Sequence, residues 1–232
     1  MFKNKKRVIL FEPEVEHFPG ILPTKKFIPD WYKDAKPYKG DDLDFYTLKS
    51  QGLKACIPFL EPFLTGYCIS TPVDIVVKKI NEFENMITWG PDIKILTLRD
   101  EMATPTLPVP NGYQDKHYAW ITQISFQLPK GYSAVMTHPL NRYDLPFLTL
   151  SGIVDADKPL PGGNVSFFLK EDFEGVIPAG TPIIQIIPFK RENWNSQNQD
   201  GLAKIANKSR QKSLGTISGW YKNNMWIRKV YE

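Results

Sequence analysis

The chain has 232 residues, 42% of them hydrophobic and 23% charged. That is the balance of a soluble globular protein with a core of its own, and it excludes both a disordered chain and a miniature held by disulfides or metal. The net charge is only +4, and the basic clusters Lys3–Arg7 and Asn207–Lys212 lie at opposite ends of the chain, which argues against a dedicated duplex-binding domain.

High aromatic content (13%) and 20 prolines predict many short strands and turns and few long helices. In chain order, "RVILFEP" reads as a first strand closed by Pro13. The proline-punctuated stretch that follows reads as an irregular arm anchored by Phe27, Ile28, Trp31 and Tyr32. "IPFLEPFLTG" suits one or two helical turns, with Pro58 near the start and Gly66 as the stop. "YCISTPVDIVVKKI" and "MITWG" read as strands around a turn-like "NEFEN", followed by "DIKILTLRD" as a strand and "EMATPTLPVPNGYQDK" as a loop.

"HYAWITQISFQL" is the clearest strand of the chain. "SAVMTH", "LPFLTLSGIVDAD", "VSFFLK" and "TPIIQIIPF" are predicted as further strands, separated by the turns "PKGY", "KPLPGGN" and "PAG" and the connection "PLNRYD". Strands at this spacing suggest a sandwich or barrel. Beyond Phe189 the composition turns polar, "LAKIANKSRQKSL" suits a short helix, and the closing "GWYKNNMWIRKVY" is apolar enough to pack on its own domain or on a neighbouring subunit. The expected organisation is an N-terminal arm with the first strand (1–66), a β core (67–189) and an α-containing C-terminal extension (190–232).

Cys56 and Cys68 lie twelve residues apart among apolar neighbours, a spacing that matches no zinc or redox motif. Buried free thiols and a reducing compartment are expected. No apolar run approaches the ~18 residues of a membrane span, and the basic start is followed too soon by acids for a signal peptide. The expected location is the cytoplasm, or a particle assembled there, with no membrane partner. His17, His117 and His138 have no ligand spacing with each other or with the cysteines, so no metal site is expected. No phosphate loop or nucleophile elbow is present.

Two polar groups stand out. Asp155 and Asp157 follow the apolar "SGIV"; neighbours two apart on a strand share a face, so the pair suits one cation or a hydroxyl, or else a solvated turn. "THPLNRYD" gathers His138, Asn141, Arg142 and Asp144, which suits a general base with an anion-binding arginine, or a loop tied by an Arg142–Asp144 salt bridge.

Three segments resemble the dUTPase and dCTP-deaminase group: "LPKGYSAVMTHP", "SGIVDAD" and "PAGTPIIQII". The resemblance implies a β-clip or jelly-roll-like core. It implies that Asp155 matches the residue that orients the attacking water, and that Gln185, 30 positions on, matches one beside the bound phosphates. Gly152 is expected to admit a second backbone and Gly180 to close a tight turn. The family's phosphate-binding Arg-Ser pair falls on Pro139 and Leu140, its motif Tyr on Lys158 and its third-motif Arg on Pro182. Neither Pro139 nor Leu140 has a side chain that bonds phosphate. An arginine reaching into the pocket beside the paired aspartates would overturn the reading of a β-clip whose phosphate grip is erased.

"IPDWYKD", "HPLNRYDLPF", "LSGIVDAD" and "IPAGTPIIQIIPFKRENW" resemble an uncharacterised family carried by tailed bacteriophages. That resemblance covers most of the chain and implies a phage gene product in the infected cell or the virion. The expectation is a mainly all-β, non-enzymatic phage protein with a degenerate dUTPase-like core, acting through protein contacts as a virion structural or assembly component. Its partners are then copies of itself in a homo-oligomer, with a trimer as one state, and other phage structural proteins. Aromatics near basic residues, Trp31, Trp194, Trp220, Tyr221 and Trp226, suit such interfaces. The alternative is a dUTPase-like protein that binds or hydrolyses a nucleotide, with Asp155 as candidate catalyst, Asp155, Asp157, Gln185, His138 and Arg142 as candidate ligand residues, and Mg²⁺ only alongside the nucleotide. A weaker alternative, single-stranded nucleic-acid binding, rests on the same aromatics.

Overall fold

A computed structural model describes residues 7–16, 18–37, 52–81, 84–90, 93–99, 107–214 and 219–232. His17, most of the first basic cluster and parts of "NEFEN", "EMATPTLPVP" and "SLGTISG" lie outside the described residues. The protein is mainly β, in antiparallel sheets, with helix concentrated near the C-terminus. Two units are distinguished: the first comprises the described residues up to Phe27 together with Gly66–Arg191, and the second comprises Ile28–Thr65 and Glu192–Tyr231.

The first unit holds fourteen strands among its described residues. β1 (Leu10–Pro13) pairs with β8 (Ile124–Gln127). A four-stranded sheet runs in the order β10 (Phe147–Thr149), β12 (Asn164–Lys170), β7 (Tyr113–Ile121), β6 (Leu96–Leu98). A five-stranded sheet runs β11 (Gly152–Val154), β9 (Tyr132–Thr137), β14 (Pro182–Lys190), β3 (Tyr67–Ser70), β2 (Ile21–Pro23). β13 (Gly175–Ile177), β4 (Ile75–Asn81) and β5 (Glu84–Trp89) form the last sheet.

One apolar cluster draws on all four sheets: Phe126, Trp120 and Phe167, Ile184 and Ile186, and Ile75 and Val77 are all buried in it. Its centre is aromatic. Trp120 stacks on Phe167 at 3.7 Å between centroids and meets Phe147 edge-on at 5.0 Å. The Trp120 indole N–H donates to Thr149 Oγ1 at 3.1 Å, and that hydroxyl donates to the Ile183 carbonyl at 2.7 Å. The polar handle of a wholly buried tryptophan is thereby satisfied.

Several expected elements are redrawn. "HYAWITQISFQL" is two strands, because Gln123 takes a φ of +42° between β7 and β8 and the two strands join different sheets. "LPFLTLSGIVDAD" likewise splits into β10 and β11, on different sheets, and Asp155 and Asp157 lie beyond the strand, which ends at Val154. The strands around "NEFEN" extend to Asn81 and from Glu84, leaving a narrower turn. The arm contains β2 and a short helix α1 (Asp30–Asp34). Gly152 is not a point of close backbone approach, since an added Cβ there meets nothing within 4 Å. Gly180 does sit in a tight turn, at φ +81°, closed by Thr181 N–H donating to the Pro178 carbonyl. Both cysteines are free thiols; Cys68 is buried and Cys56 only half-buried.

The second unit is helical and aromatic. Helix α2 (Ile57–Leu60), with Pro58 in its first turn, runs into a 3₁₀ turn over Glu61–Phe63. Phe63 packs with Tyr32, Trp31 and Phe59 at centroid distances of 4.8, 5.8 and 5.9 Å. Helix α3 (Leu202–Leu214) matches the expected helix and carries the second basic cluster on an exposed surface. After α4 (Trp220–Asn224), the Trp226 indole N–H donates to Glu61 Oε1 at 2.6 Å and Lys229 pairs with the other oxygen. The aromatic tail therefore folds back onto its own unit at that point.

Candidate functional site

The candidate residues fall into two groups at opposite ends of β9. Val154 lies opposite Ala134, which brings Asp155 to Ser133, while Gln185 lies opposite Thr137. Ser133 and Thr137 are separated by about 13 Å along the strand, at ~3.3 Å per residue. The register thus holds Asp155 and Gln185 apart rather than in one pocket.

At the first end the two aspartates converge on a cation, and the cation is a side chain. Arg191, one residue past β14, places NH1 3.2 Å from Asp155 Oδ1 and its other terminal nitrogen on Asp157 Oδ2. Ser133 Oγ donates to Asp155 Oδ1 at 2.5 Å and the Gly131 N–H donates to Asp157 Oδ2 at 3.2 Å. Arg191 NH1 also donates to Ser133 Oγ and to the Tyr132 carbonyl, both at 3.3 Å, and the Arg191 N–H donates to the Gly131 carbonyl at 2.9 Å. The Ser133 hydroxyl and then Arg191 hold the Asp155 carboxyl below the ordinary carboxylate range; Arg191 and then the Gly131 N–H do the same for Asp157. Both acids are ionised at neutral pH and already paired.

Arg191 is not among the residues expected at the site, and its presence beside the aspartates runs against the expected lack of any arginine there. Only the β9–β14 register, across 34 residues of sequence, brings Arg191 to Asp157. A guanidinium between two carboxylates also repels a divalent cation, so this pair does not fit Mg²⁺. Among the described residues no group of three or more His, Cys, Asp or Glu side chains is arranged to hold a metal ion.

At the second end, Gln185 is wholly buried and its Oε1 accepts the Leu140 N–H at 2.8 Å. The chain turns there, with Arg142 N–H donating to the Pro139 carbonyl and Asn141 at φ +60°, a region asparagine tolerates. His138 spans the same loop. The Thr149 N–H donates to Nδ1 at 3.3 Å, so the proton lies on Nε2, which donates to the Arg142 carbonyl at 3.0 Å. Burial keeps the imidazole neutral, lowering its pKa, and its ring stands edge-on to Phe147 at 5.7 Å. Arg142 forks onto Asp144, with Nε and NH2 at 2.9 and 2.8 Å, and NH1 donates to the Phe27 carbonyl at 3.1 Å. Nearby Cys68, beside Thr24, has its thiol pushed up to about 12 by burial, so it is not a nucleophile at neutral pH. His117 is also buried, against Phe168, and no helix among the described residues is long and apolar enough to cross a membrane.

No protein-family model matches the chain, and no curated protein sequence matches it. Similar solved structures include a dUTPase from phage phi11 of S. aureus, whose structure details coordination of a structural Mg(II) ion. It is 9% identical over 84% of this chain and 98% of that one, with a TM-score of 0.35. They also include Staphylococcus bacteriophage 80alpha dUTPase with dUpNHpp, 11% identical over 84% of this chain and 89% of that one, again at a TM-score of 0.35. Likeness at this level transfers no residue role.

Proposed function

We propose that this is a non-enzymatic bacteriophage protein with a degenerate dUTPase-like core, acting through protein–protein contacts as a homo-oligomeric structural or assembly component of the virion. An arginine beside the paired aspartates counts against a core that has lost its anion grip, and one observation carries the reading against it: the candidate site is closed on itself, its arginine included. Arg191 neutralises Asp155 and Asp157, Gln185 caps the Leu140 N–H, His138 ties Arg142 to Thr149, and Arg142 is engaged by Asp144 and Phe27. Each side chain holds backbone or a neighbour, which is the work of a framework. Trp194, Ile227 and Val230, at 84%, 77% and 63% exposed, supply apolar contact material on the second unit. Mass spectrometry of purified virions of the encoding phage, with light scattering of the isolated protein, tests the reading. Structural copy number and a defined oligomer are expected; absence from the virion, or hydrolysis of dUTP or dCTP by the pure protein, overturns it.

A second reading, nucleotide capture without cleavage, draws on the convergence of Arg191, Ser133 Oγ and the Gly131 N–H at one surface point. A phosphate taken there would compete with the carboxylates for Arg191. This reading expects dUTP or dCTP with Mg²⁺ to raise the melting temperature, and Arg191→Ala and Asp155→Asn to abolish the rise; no rise in the wild-type protein removes it.

A further inference from the structure

A cleft of about 370 Å³ opens in the first unit between β5 and the β6–β7 pair, a size within the ~300–1,000 Å³ typical of small-molecule sites. β5 ends the three-stranded sheet and β6 ends the four-stranded one, so the cleft lies at the mouth between two sheets. Asn85, Ile87 and Trp89 alternate along β5 and share its inner face, as Lys116 and Tyr118 share a face of β7. Leu96 and Leu98 complete the apolar lining.

The polar ends of the aromatic walls are already satisfied. The Trp89 indole N–H donates to the Ile93 carbonyl at 2.5 Å, and the Tyr118 hydroxyl donates to Gln114 Oε1 at 3.3 Å. The half-buried Trp89 ring therefore offers apolar surface to the cleft, while Tyr118, only 6% exposed and stacked on Phe167, forms part of its floor. Thr97 Oγ1 donates to the Leu98 carbonyl at 3.3 Å. Two groups remain. Asn85 Nδ2 is buried with no hydrogen-bond partner among the described residues, and the Lys116 ammonium has none among them either. Asp115, the next residue along β7, accepts the Lys116 backbone N–H and belongs to the opposite face of the strand. An unpaired buried amide is destabilising; Asn85 lines the cleft with this Nδ2 turned away from solvent, and a half-turn about its soft terminal torsion is the movement that would present the donor to a ligand. Both remaining groups are donors, and one is a cation.

We propose that this cleft binds a small ligand with a flat apolar body and a carboxylate end, the body held by Ile87, Trp89, Leu96 and Tyr118 and the carboxylate by Lys116 and Asn85. This goes beyond the structural role proposed above and does not depend on it.

Isothermal titration of the full chain with 2-naphthoate, and with neutral 2-naphthol as its uncharged counterpart, tests the proposal. Saturable binding with one site per chain is expected for 2-naphthoate. Leu98→Trp, at a half-exposed rim position, should block the cleft and weaken binding of both probes at least tenfold without disturbing the fold. Lys116→Ala should weaken 2-naphthoate at least tenfold and 2-naphthol less than twofold, with Lys116→Arg restoring most of the difference. Asn85→Leu should raise the melting temperature of the free protein while weakening 2-naphthoate. No saturable binding, binding indifferent to Leu98→Trp, equal losses of both probes in Lys116→Ala, or a lowered melting temperature in Asn85→Leu would each overturn the assignment.

Discussion

Gln185 and Leu140 are joined by a 2.8 Å hydrogen bond in which a backbone N–H donates to the side chain of a glutamine that has no solvent exposure. The bond fixes the loop after β9 to the middle of β14. Gln185→Leu keeps the volume and leaves the Leu140 N–H without its acceptor, so a loss of about 1–3 kcal/mol is expected. Urea denaturation reads it as a lower midpoint at unchanged slope. An unchanged midpoint would show that the glutamine is not structural.

The same logic applied to Arg191 gives an electrostatic prediction. Arg191→Ala should let both carboxyl pKa values climb back toward the ordinary range, Asp157 most, because the guanidinium is the chief cause of its lowering and only the second cause for Asp155. Carboxyl NMR titration follows each group separately. Because both values are depressed in the native state, the stability they lend is complete above about pH 4 and disappears as pH falls through the lower native values. The variant should be less stable above about pH 4 and show a shallower decline on acidification. It should also acquire weak Mg²⁺ binding that the wild-type pair lacks, detectable as shifts of the same carboxyl signals.

These two residues mark the limits of what the sequence disclosed. Asp155 and Gln185 were legible as polar residues set in apolar strands, and the strands themselves were legible from alternation and β-branched content. Their separation was not, because it depends on the pairing of β9 with both β11 and β14. The break at Gln123 was hidden for a similar reason: its left-handed φ sits inside an unbroken run of good strand formers. β13, only three residues of "GVI", exists because β4 offers it an edge. Arg191 followed a strand and preceded a polar stretch, and nothing local distinguished it from any solvated arginine. The second end was more readable, since the Arg142–Asp144 salt bridge, one of the two meanings open for that loop, is formed between near neighbours.

His138 sets a pH dependence of its own. Both ring nitrogens are engaged, and a proton added to Nδ1 would displace the Thr149 N–H. Burial lowers its pKa; Arg142 and Lys170 act the same way, while the Arg142 carbonyl and Asp144 oppose them. His117 is lowered by burial and then by Arg99. The unfolded chain therefore takes up these protons first, near pH 6.5. Native stability is complete above that value and falls as pH drops below it toward the lower folded values. The urea midpoint should be flat between about pH 8 and 7 and decline between about pH 6.5 and 5. His138→Gln should be less stable at pH 8 yet show a shallower decline. A midpoint that rises on acidification would contradict the neutral, doubly bonded imidazole.

The start of β3 depends on a glycine for two separate reasons. Gly66 lies at φ +73°, and a Cβ placed there would stand 2.2 Å from the Ile186 carbonyl oxygen. That oxygen belongs to the backbone of β14, the strand that also carries Gln185 and leads to Arg191, so it cannot withdraw without disturbing both ends of the candidate site. Gly180 has a similar φ of +81° with nothing within 4 Å of its added Cβ, and so isolates the conformational term. Gly180→Ala should cost about 1 kcal/mol. Gly66→Ala should cost at least about 3 kcal/mol, the clash adding to the strain. Comparing the two variants by urea denaturation separates the contributions. Equal losses would mean that β3 and β14 do not approach each other closely at this point.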